Sequence, residues 1–397
     1  MALVNKTFSD IITFTRASTA TFFNSAGVLT SAATNAPRFD YNPSTLAAQG
    51  LLIEESRTNL ATYSEQFDNV AGWTPTRSSV SANATTAPTG TNVADKLVED
   101  TTASNTHYDQ TAVITPTAAT SYTFSAYFKA SERTQCGIGL TGAGNSDSIV
   151  VFNLSTGAYV ATVGAAPSSY SITPAGSGWY RCSITWVTTS TAAMAGRVYT
   201  ANASTITYTG DGTSGLFLFG AQVEAGAFPT SYIPTTTTAL TRAADVASVN
   251  TLSPWWNASE GTFYVEGSCG SLANSPIFVM PHDGTSNNYL NAPLLTTAGL
   301  GRLAGVVGGA AWTNVNTANS TTANTTFKSA SAFKASDQAI CLNAGTVATG
   351  TNASVPVVTT VKLGDWRTSG NSINGYLRRV TYYPTRLSNA QLQAITA

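Results

Sequence analysis

Two short stretches of alternating apolar and polar residues hold the first candidates for chemistry. In "SYTFSAYFKA" Tyr127 and Lys129 fall on one side of an extended chain, and in "GWYRCSITWV" Trp179 and Arg181 do the same. If these strands are neighbours, the four side chains share a face and set aromatic surfaces beside hydrogen-bond donors. A sugar offers apolar C–H faces and many hydroxyls, so rings with a few polar groups between them are what it needs. The competing reading packs Trp179 under a loop or at a subunit contact. Trp312, Trp366 and Arg367 repeat the combination later in the chain. The segment "GDWRTSGN" is loop-like from its Gly and Asn, and loops at the end of a sandwich often carry binding. One bulge would exchange the two faces of a strand, so alternation alone does not fix which side chains meet solvent.

Arrangements for catalysis do not assemble. A glycosidase needs two carboxyl groups about 5–10 Å apart, whereas Glu260, Glu266, Asp283 and Asp365 are isolated in sequence. Neither of the 2 histidines, His107 and His282, sits in a Gly-x-Ser-x-Gly or metal-ligand pattern. No enzyme is expected. The 4 cysteines, Cys136, Cys182, Cys269 and Cys341, form no Cys-x-x-Cys pair and read as buried reduced thiols, with one bridge per domain as the minority reading.

Charged residues make up 10% of the 397 and the net charge is −1, so no basic surface exists to gather nucleic-acid phosphates. No apolar run approaches the roughly 20 residues of a spanning helix. The start, "MALVNKTFSDIITF", lacks a basic region followed by an apolar one. Neither membrane insertion nor an export signal is expected.

The elements that must position these residues are strands. Tyr122, Phe124, Ala126 and Phe128 alternate inward in the first stretch, Tyr180, Cys182, Ile184 and Trp186 in the second, and Cys136, Ile138 and Leu140 in "CGIGL". In "LFLFGAQV" the same rule groups Phe217, Phe219, Ala221 and Val223. Helical periodicity is confined to "LSNAQLQAI", where Ser388 is placed as an N-cap. Many short strands without βαβ alternation predict an all-β chain of two antiparallel sandwiches preceded by a short hairpin segment.

Residues 1–65 form that first segment, with a hairpin in "TFFNSAGVLT" turning at Asn24 to Gly27. It is too thinly apolar for a core of its own and is expected to pack on a neighbouring domain or subunit. The first sandwich covers 66–234 and the second 258–397. Between them, 235–257 is a Pro-interrupted, Thr-rich linker, with Trp255 and Trp256 anchoring its end. Glu54, Glu55, Arg57 and Arg38 are the most charged neighbourhood of the first segment, read either as ion-paired at a subunit or particle contact or as a solvated surface.

Three of these stretches carry a resemblance. "FTRASTATFFNSAGVL", "NAPRFDY" and "GLLIEESRTNL" together resemble the amino-terminal segment of bacteriophage virion fibre proteins of the head spike or tail fibre kind. "LFLFGAQVEAGAFPTSYIPT…TRAAD" resembles the end of the carbohydrate-binding-module-like domain that follows it in those proteins, and "GYLRRVTYYPTRLSNAQLQAI" the close of a concanavalin A-like or laminin G-like sandwich. The resemblance implies a jelly roll followed by a concanavalin A-like sandwich in a protein of the virion surface, assembled in the host cytoplasm. It would attach to capsid, portal or tail proteins through its first segment and bind host-surface polysaccharide. A closed homo-oligomer is expected, a trimer favoured. Modules of this shape often hold a structural calcium, for which Asp68, Asn69 and Glu224 would supply oxygens; the competing reading is ordinary turn and strand-end hydrogen bonding. The alternatives are a purely structural capsid decoration protein and a polysaccharide-degrading tail component.

Overall fold

In the computed structural model, which describes residues 7–368 and 370–397, antiparallel strands dominate. The leader reading falls partly on residues 1–6, outside the described residues.

The first sandwich stacks two six-stranded sheets. One sheet orders Ser169–Pro174, Trp179–Val187, Ser121–Ala130, Gly215–Ala225, Ala94–Glu99 and Ser78–Thr85. Its outer face packs on the rest of the chain, so it is the junction sheet. The other orders Ala158–Gly164, Asn145–Asn153, Gln135–Gly142, Met194–Ala201, Tyr108–Thr111 and Trp73–Thr76 and is the open sheet. The core between them holds the inward residues that alternation predicts, among them Phe124, Phe128, Cys182, Ile184, Cys136 and Ile138. Each large apolar side chain buried there contributes about 1.5–3 kcal/mol. All four cysteines are buried and free, with the Cys136 and Cys182 sulfurs 4.0 Å apart across the core.

One strand departs from the alternation. Leu216 and Leu218 face the core ahead of Gly220, and Ala221 and Val223 face it afterwards, while Phe219 lies on the outer face with Tyr127, Trp179 and Tyr232. The predicted grouping of Phe217 and Phe219 with Ala221 and Val223 is therefore wrong. The cause is a bulge: pairing between Ser121–Ala130 and Gly215–Ala225 shifts register after Ser125, and Gly220 adopts φ +60. An extra residue there reverses every face that follows.

The second sandwich recruits the amino-terminal segment. Its seven-stranded sheet orders Ala348–Gly350, Gln338–Leu342, Phe327–Lys334, Glu260–Cys269, Gly375–Tyr383, Ala48–Ile53 and Phe39–Tyr41. The facing sheet begins with Thr13–Thr15 and Val246–Val249, followed by Thr360–Leu363. Residues 13–15, 39–53 and 246–249 thus belong to this sandwich, which corrects the boundaries at 65 and 257. The first segment had too little apolar sequence for its own core, and Leu51 and Ile53 join that of the second sandwich. Trp256 stacks on Tyr382 at 4.9 Å, fixing the chain where it enters. The closing helix Asn389–Thr396 starts as expected, with Ser388 Oγ accepting from the Gln391 amide.

Between the sandwiches, residues 226–245 form a strap held down by side chains. Gln222 Oε1 accepts from the Ile233 amide at 2.7 Å, and Asn59 Nδ2 donates to the carbonyls of Ala221 and Ile233 at 3.0 and 2.8 Å. Farther along, Arg16, Arg38, Glu54, Arg242 and Asp245 gather in one buried network. Arg38 bridges Glu54 at 2.8 Å and also Asp245, Arg16 reaches Asp245 at 3.0 Å, and Arg242 lies 3.2 Å from Glu54. The expected pairing of Arg38 and Glu54 therefore occurs, but inside the chain rather than at a subunit contact. Arg57 pairs with Glu55 nearer the surface.

Candidate functional site

The four residues of the first candidate site do meet. Ser121–Ala130 pairs with Trp179–Val187 so that Tyr127 opposes Arg181 and Lys129 opposes Trp179. Their face is not open, however. Tyr127 is 2% and Trp179 1% exposed, and the Trp179 indole donates to the Thr86 carbonyl at 3.1 Å. The strap accounts for much of the cover: Tyr232 packs edge-on against Tyr127 at 6.1 Å, and Arg181 Nη1 donates to the Thr230 carbonyl at 2.6 Å. Arg181 Nη2 donates to Ser125 Oγ at 2.9 Å, and its guanidinium carbon lies 5.5 Å from the Tyr127 ring centre. The exposed aromatic platform expected from Tyr127 and Trp179 is thus a packed layer.

The later candidates scatter. Trp312 is 8% exposed within the second core. Trp366 meets Tyr289 edge-on at 5.0 Å, and the Arg367 carbonyl accepts from Lys362 Nζ at 3.4 Å. Both belong to a loop remote in sequence from the other four.

The oxygens assigned to calcium do not make a common donor set. Glu224 is buried, and its carboxylate accepts from Gln222 Nε2 at 2.6 Å, the Thr230 amide at 2.9 Å and Thr230 Oγ1 at 2.7 Å. Asn69 Oδ1 closes its own turn by accepting from the Ala71 amide at 3.0 Å, and Asp68 is exposed. Among the described residues no three His, Cys, Asp or Glu side chains gather as a metal site. Calcium takes six to eight converging oxygens, and these three residues do not fit it.

The carboxylates weighed for hydrolysis are engaged separately. Glu260 pairs with Lys334 at 3.5 Å, Glu266 with Arg378 at 3.7 Å, and Asp283 Oδ1 accepts from the Thr285 amide at 2.7 Å. Asp365 Oδ1 accepts from the Trp366 and Asn371 amides at 2.7 and 2.9 Å.

Beside the packed layer, a cleft of about 490 Å³ separates the junction sheet from the amino-terminal strands and the second sandwich. Tyr127 and Arg181 form part of its wall, with Ser171, Thr173, Tyr41 and Phe228 around them. Asp40 lies on the opposite wall, where Oδ1 accepts from the Phe23 amide and Oδ2 from the Tyr376 hydroxyl, both at 2.6 Å. Burial pushes the Asp40 carboxyl above its ordinary range.

Sequence reasoning missed a polar strip on the open sheet. Tyr108, Gln110, Arg197 and Asp147 project from its outer face, and Gln110 opposes Arg197 directly. Arg197 Nε donates to Gln110 Oε1 at 2.6 Å, Nη1 to Asp147 Oδ2 at 3.1 Å, and the guanidinium carbon stands 4.7 Å from the Tyr108 ring centre. Beneath it, Gly139 leaves room for Ile149 and the Tyr199 ring, since a Cβ there would come within 2.8 Å of Ile149 Cγ1 and 3.3 Å of Tyr199 Cε2. Burial pushes the Tyr199 hydroxyl up to about 12. Ile206 covers the apolar floor of Tyr199, Ile149 and Val151, leaving the strip at the surface. The available signal was the alternation of Tyr108 and Gln110 in "HYDQT" and of Arg197 and Tyr199 in "GRVYT".

No protein-family model matches the sequence, and no curated protein matches it. Among solved structures, the sialidase CBM40 of Ruminococcus gnavus bound to alpha2,3 sialyllactose is similar at 16% identity and TM-score 0.32, over 36% of this chain and 84% of that one. Domains LG4-5 of the mouse laminin alpha1 chain are similar at 9% identity and TM-score 0.27, over 72% of this chain and 88% of theirs. The SAP-like pentraxin of Limulus polyphemus gives 12% and 0.28, over 35% and 70%. These likenesses are distant.

Proposed function

We propose that this chain is a bacteriophage virion surface protein of the head spike or tail fibre kind, and that it holds host-surface polysaccharide on the open sheet of its first sandwich. The observation that carries the saccharide reading is Arg197, fixed by Gln110 and Asp147 against the Tyr108 ring on an outward sheet face. A guanidinium stacked on a phenol makes a flat amphipathic surface with donors and acceptors at its rim. Because the protein already holds that guanidinium, less side-chain freedom is lost when a ligand arrives.

The virion reading is supported by the amino-terminal and strap motifs and their resemblance to phage fibre proteins. Ile11, Phe39 and Leu46 are exposed apolar side chains on the first segment, which favours a contact with other virion proteins there. Assembly in the host cytoplasm as a homo-oligomer, a trimer favoured, would multiply weak single-site affinity through effective concentration.

The test is pull-down of the purified chain with intact host cells and with their extracted surface polysaccharide, with and without calcium. Saturable binding that free polysaccharide competes away is expected, and Arg197→Ala weakens it at least about tenfold while the chain stays folded. Undiminished binding by the double variant Tyr108→Ala, Arg197→Ala would remove the open sheet as the site. No binding by the assembled oligomer would leave a structural decoration protein.

A further inference from the structure

The cleft between the sandwiches is separate from the open-sheet strip, and no role described above uses it. Its volume, about 490 Å³, lies within the roughly 300–1,000 Å³ typical of small-molecule sites. Its walls come from all three parts of the chain: Tyr41 and Gln49 from the amino-terminal segment, Ser171 and Thr173 from the junction sheet, Phe228 from the strap, and Asn324 from the second sandwich.

The carboxylates on these walls are already engaged. Asp40 accepts from the Phe23 amide and the Tyr376 hydroxyl. Glu54 Oε1 accepts from the Ser231 amide at 2.7 Å, and Glu54 also pairs with Arg38 and Arg242. Neither carboxylate is free to meet a cationic ligand. Arg181, which no carboxylate pairs among the described residues, already donates from both Nη groups to the Thr230 carbonyl and the Ser125 hydroxyl. Hydroxyls, side-chain amides and the rings of Tyr41 and Phe228 line the same space. That combination suits a neutral ligand with both apolar faces and many hydroxyls.

We infer that the cleft is a second saccharide site, taking a short uncharged oligosaccharide and thereby clamping the two sandwiches together. It is independent of the open sheet. A ligand bound there raises the stability of the junction by mass action, because the site exists only while the three parts are docked.

The experiment titrates a panel of neutral hexose and N-acetylhexosamine di- to tetrasaccharides, with uronic-acid and sialylated counterparts, into the full chain by calorimetry and thermal shift. Thr173→Trp fills the cleft from an exposed strand position, and Arg197→Ala disables the open sheet. A neutral oligosaccharide is expected to bind the wild type and the Arg197→Ala variant alike and to raise their Tm. Its affinity falls at least tenfold in Thr173→Trp and in the milder Tyr41→Ala, and acidic counterparts bind the cleft more weakly. Binding that Arg197→Ala abolishes and Thr173→Trp leaves intact overturns the cleft proposal while supporting the open sheet. The reverse result supports the cleft and leaves the open sheet to the polysaccharide pull-down. Failure of every neutral sugar to bind the Arg197→Ala variant overturns the cleft outright.

Discussion

Arg16 Nη1 and Asp245 Oδ1 meet at 3.0 Å across 229 residues of sequence, with both side chains fully buried. Asp245 also accepts from Arg38 and, at 3.0 Å, from the Glu54 amide. One carboxylate therefore ties the first segment to the end of the strap. Removing it leaves Arg16 and Arg38 buried without that counter-charge, and breaking such a pair from one side costs about 3–5 kcal/mol. Asp245→Ala is expected to lose that much in denaturant unfolding. A change below about 1 kcal/mol would mean that the junction contributes little to stability.

Glu54 gives the same junction a pH dependence. Burial alone would push its carboxyl up, but Arg242 and Arg38, with the Ser231 hydroxyl and amide, hold it down to about 2 from an ordinary 4.5. A depressed carboxyl contributes stability that is complete above the unfolded value and lost as pH falls through the folded one. Between about pH 4.5 and 2 the wild type should lose stability more steeply than Glu54→Gln, which already lacks the charge. Parallel melting curves of the two proteins across that window would contradict this.

Asp109 acts in the opposite sense. It is fully buried in the first sandwich, its Oδ1 accepts from the Gln110 amide at 2.9 Å, and its Oδ2 has no partner among the described residues. Burial, opposed by the Gln110 amide and reinforced by Asp95, pushes its carboxyl up to about 8. The folded chain then keeps a proton that the unfolded chain releases above about 3.8. Stability from this group is full below that pH and lost as pH rises through 8. Asp109→Asn keeps the shape and cannot ionise, so it should melt higher than the wild type at pH 8, with the gap closing toward pH 4. An equal gap at both ends would disprove the linkage.

Local alternation made much of the first sandwich legible. Phe124, Cys182 and Ile138 face the core as their positions require, and the pairing of Tyr127 with Arg181 follows once the strands are neighbours. What alternation cannot express is the cover on the second face, because that depends on chain far away: Tyr232 and Thr230 from the strap close over Tyr127 and Arg181. Gly220 hid a bulge, since a single glycine in a strand does not announce its φ. The open-sheet strip was missed because Arg197 and Gln110 are 87 residues apart, and only strand order brings them side by side. Of the five buried charges only Arg38 and Glu54 stood out in the sequence, and their convergence with Arg16, Arg242 and Asp245 depends on how both sandwiches share the first segment.

Trp179 separates packing from binding. Its ring lies in a cluster with Leu29, Ala87 and Phe219, its indole nitrogen donates to Thr86, and Lys129 Nζ stands 6.0 Å from the ring centre. Truncation to Ala removes a fully enclosed side chain and leaves a cavity, at a cost of about 3–5 kcal/mol. Trp179→Phe keeps much of the volume and loses less. If the open sheet is the polysaccharide site, Trp179→Phe should lower Tm yet bind host polysaccharide as the wild type does, because Arg197 and Tyr108 lie on the opposite sheet. The measurement pairs thermal melting with pull-down at a temperature where both proteins are folded. Lost binding with an unchanged Tm would make Trp179 a ligand contact and refute its assignment to the packed layer.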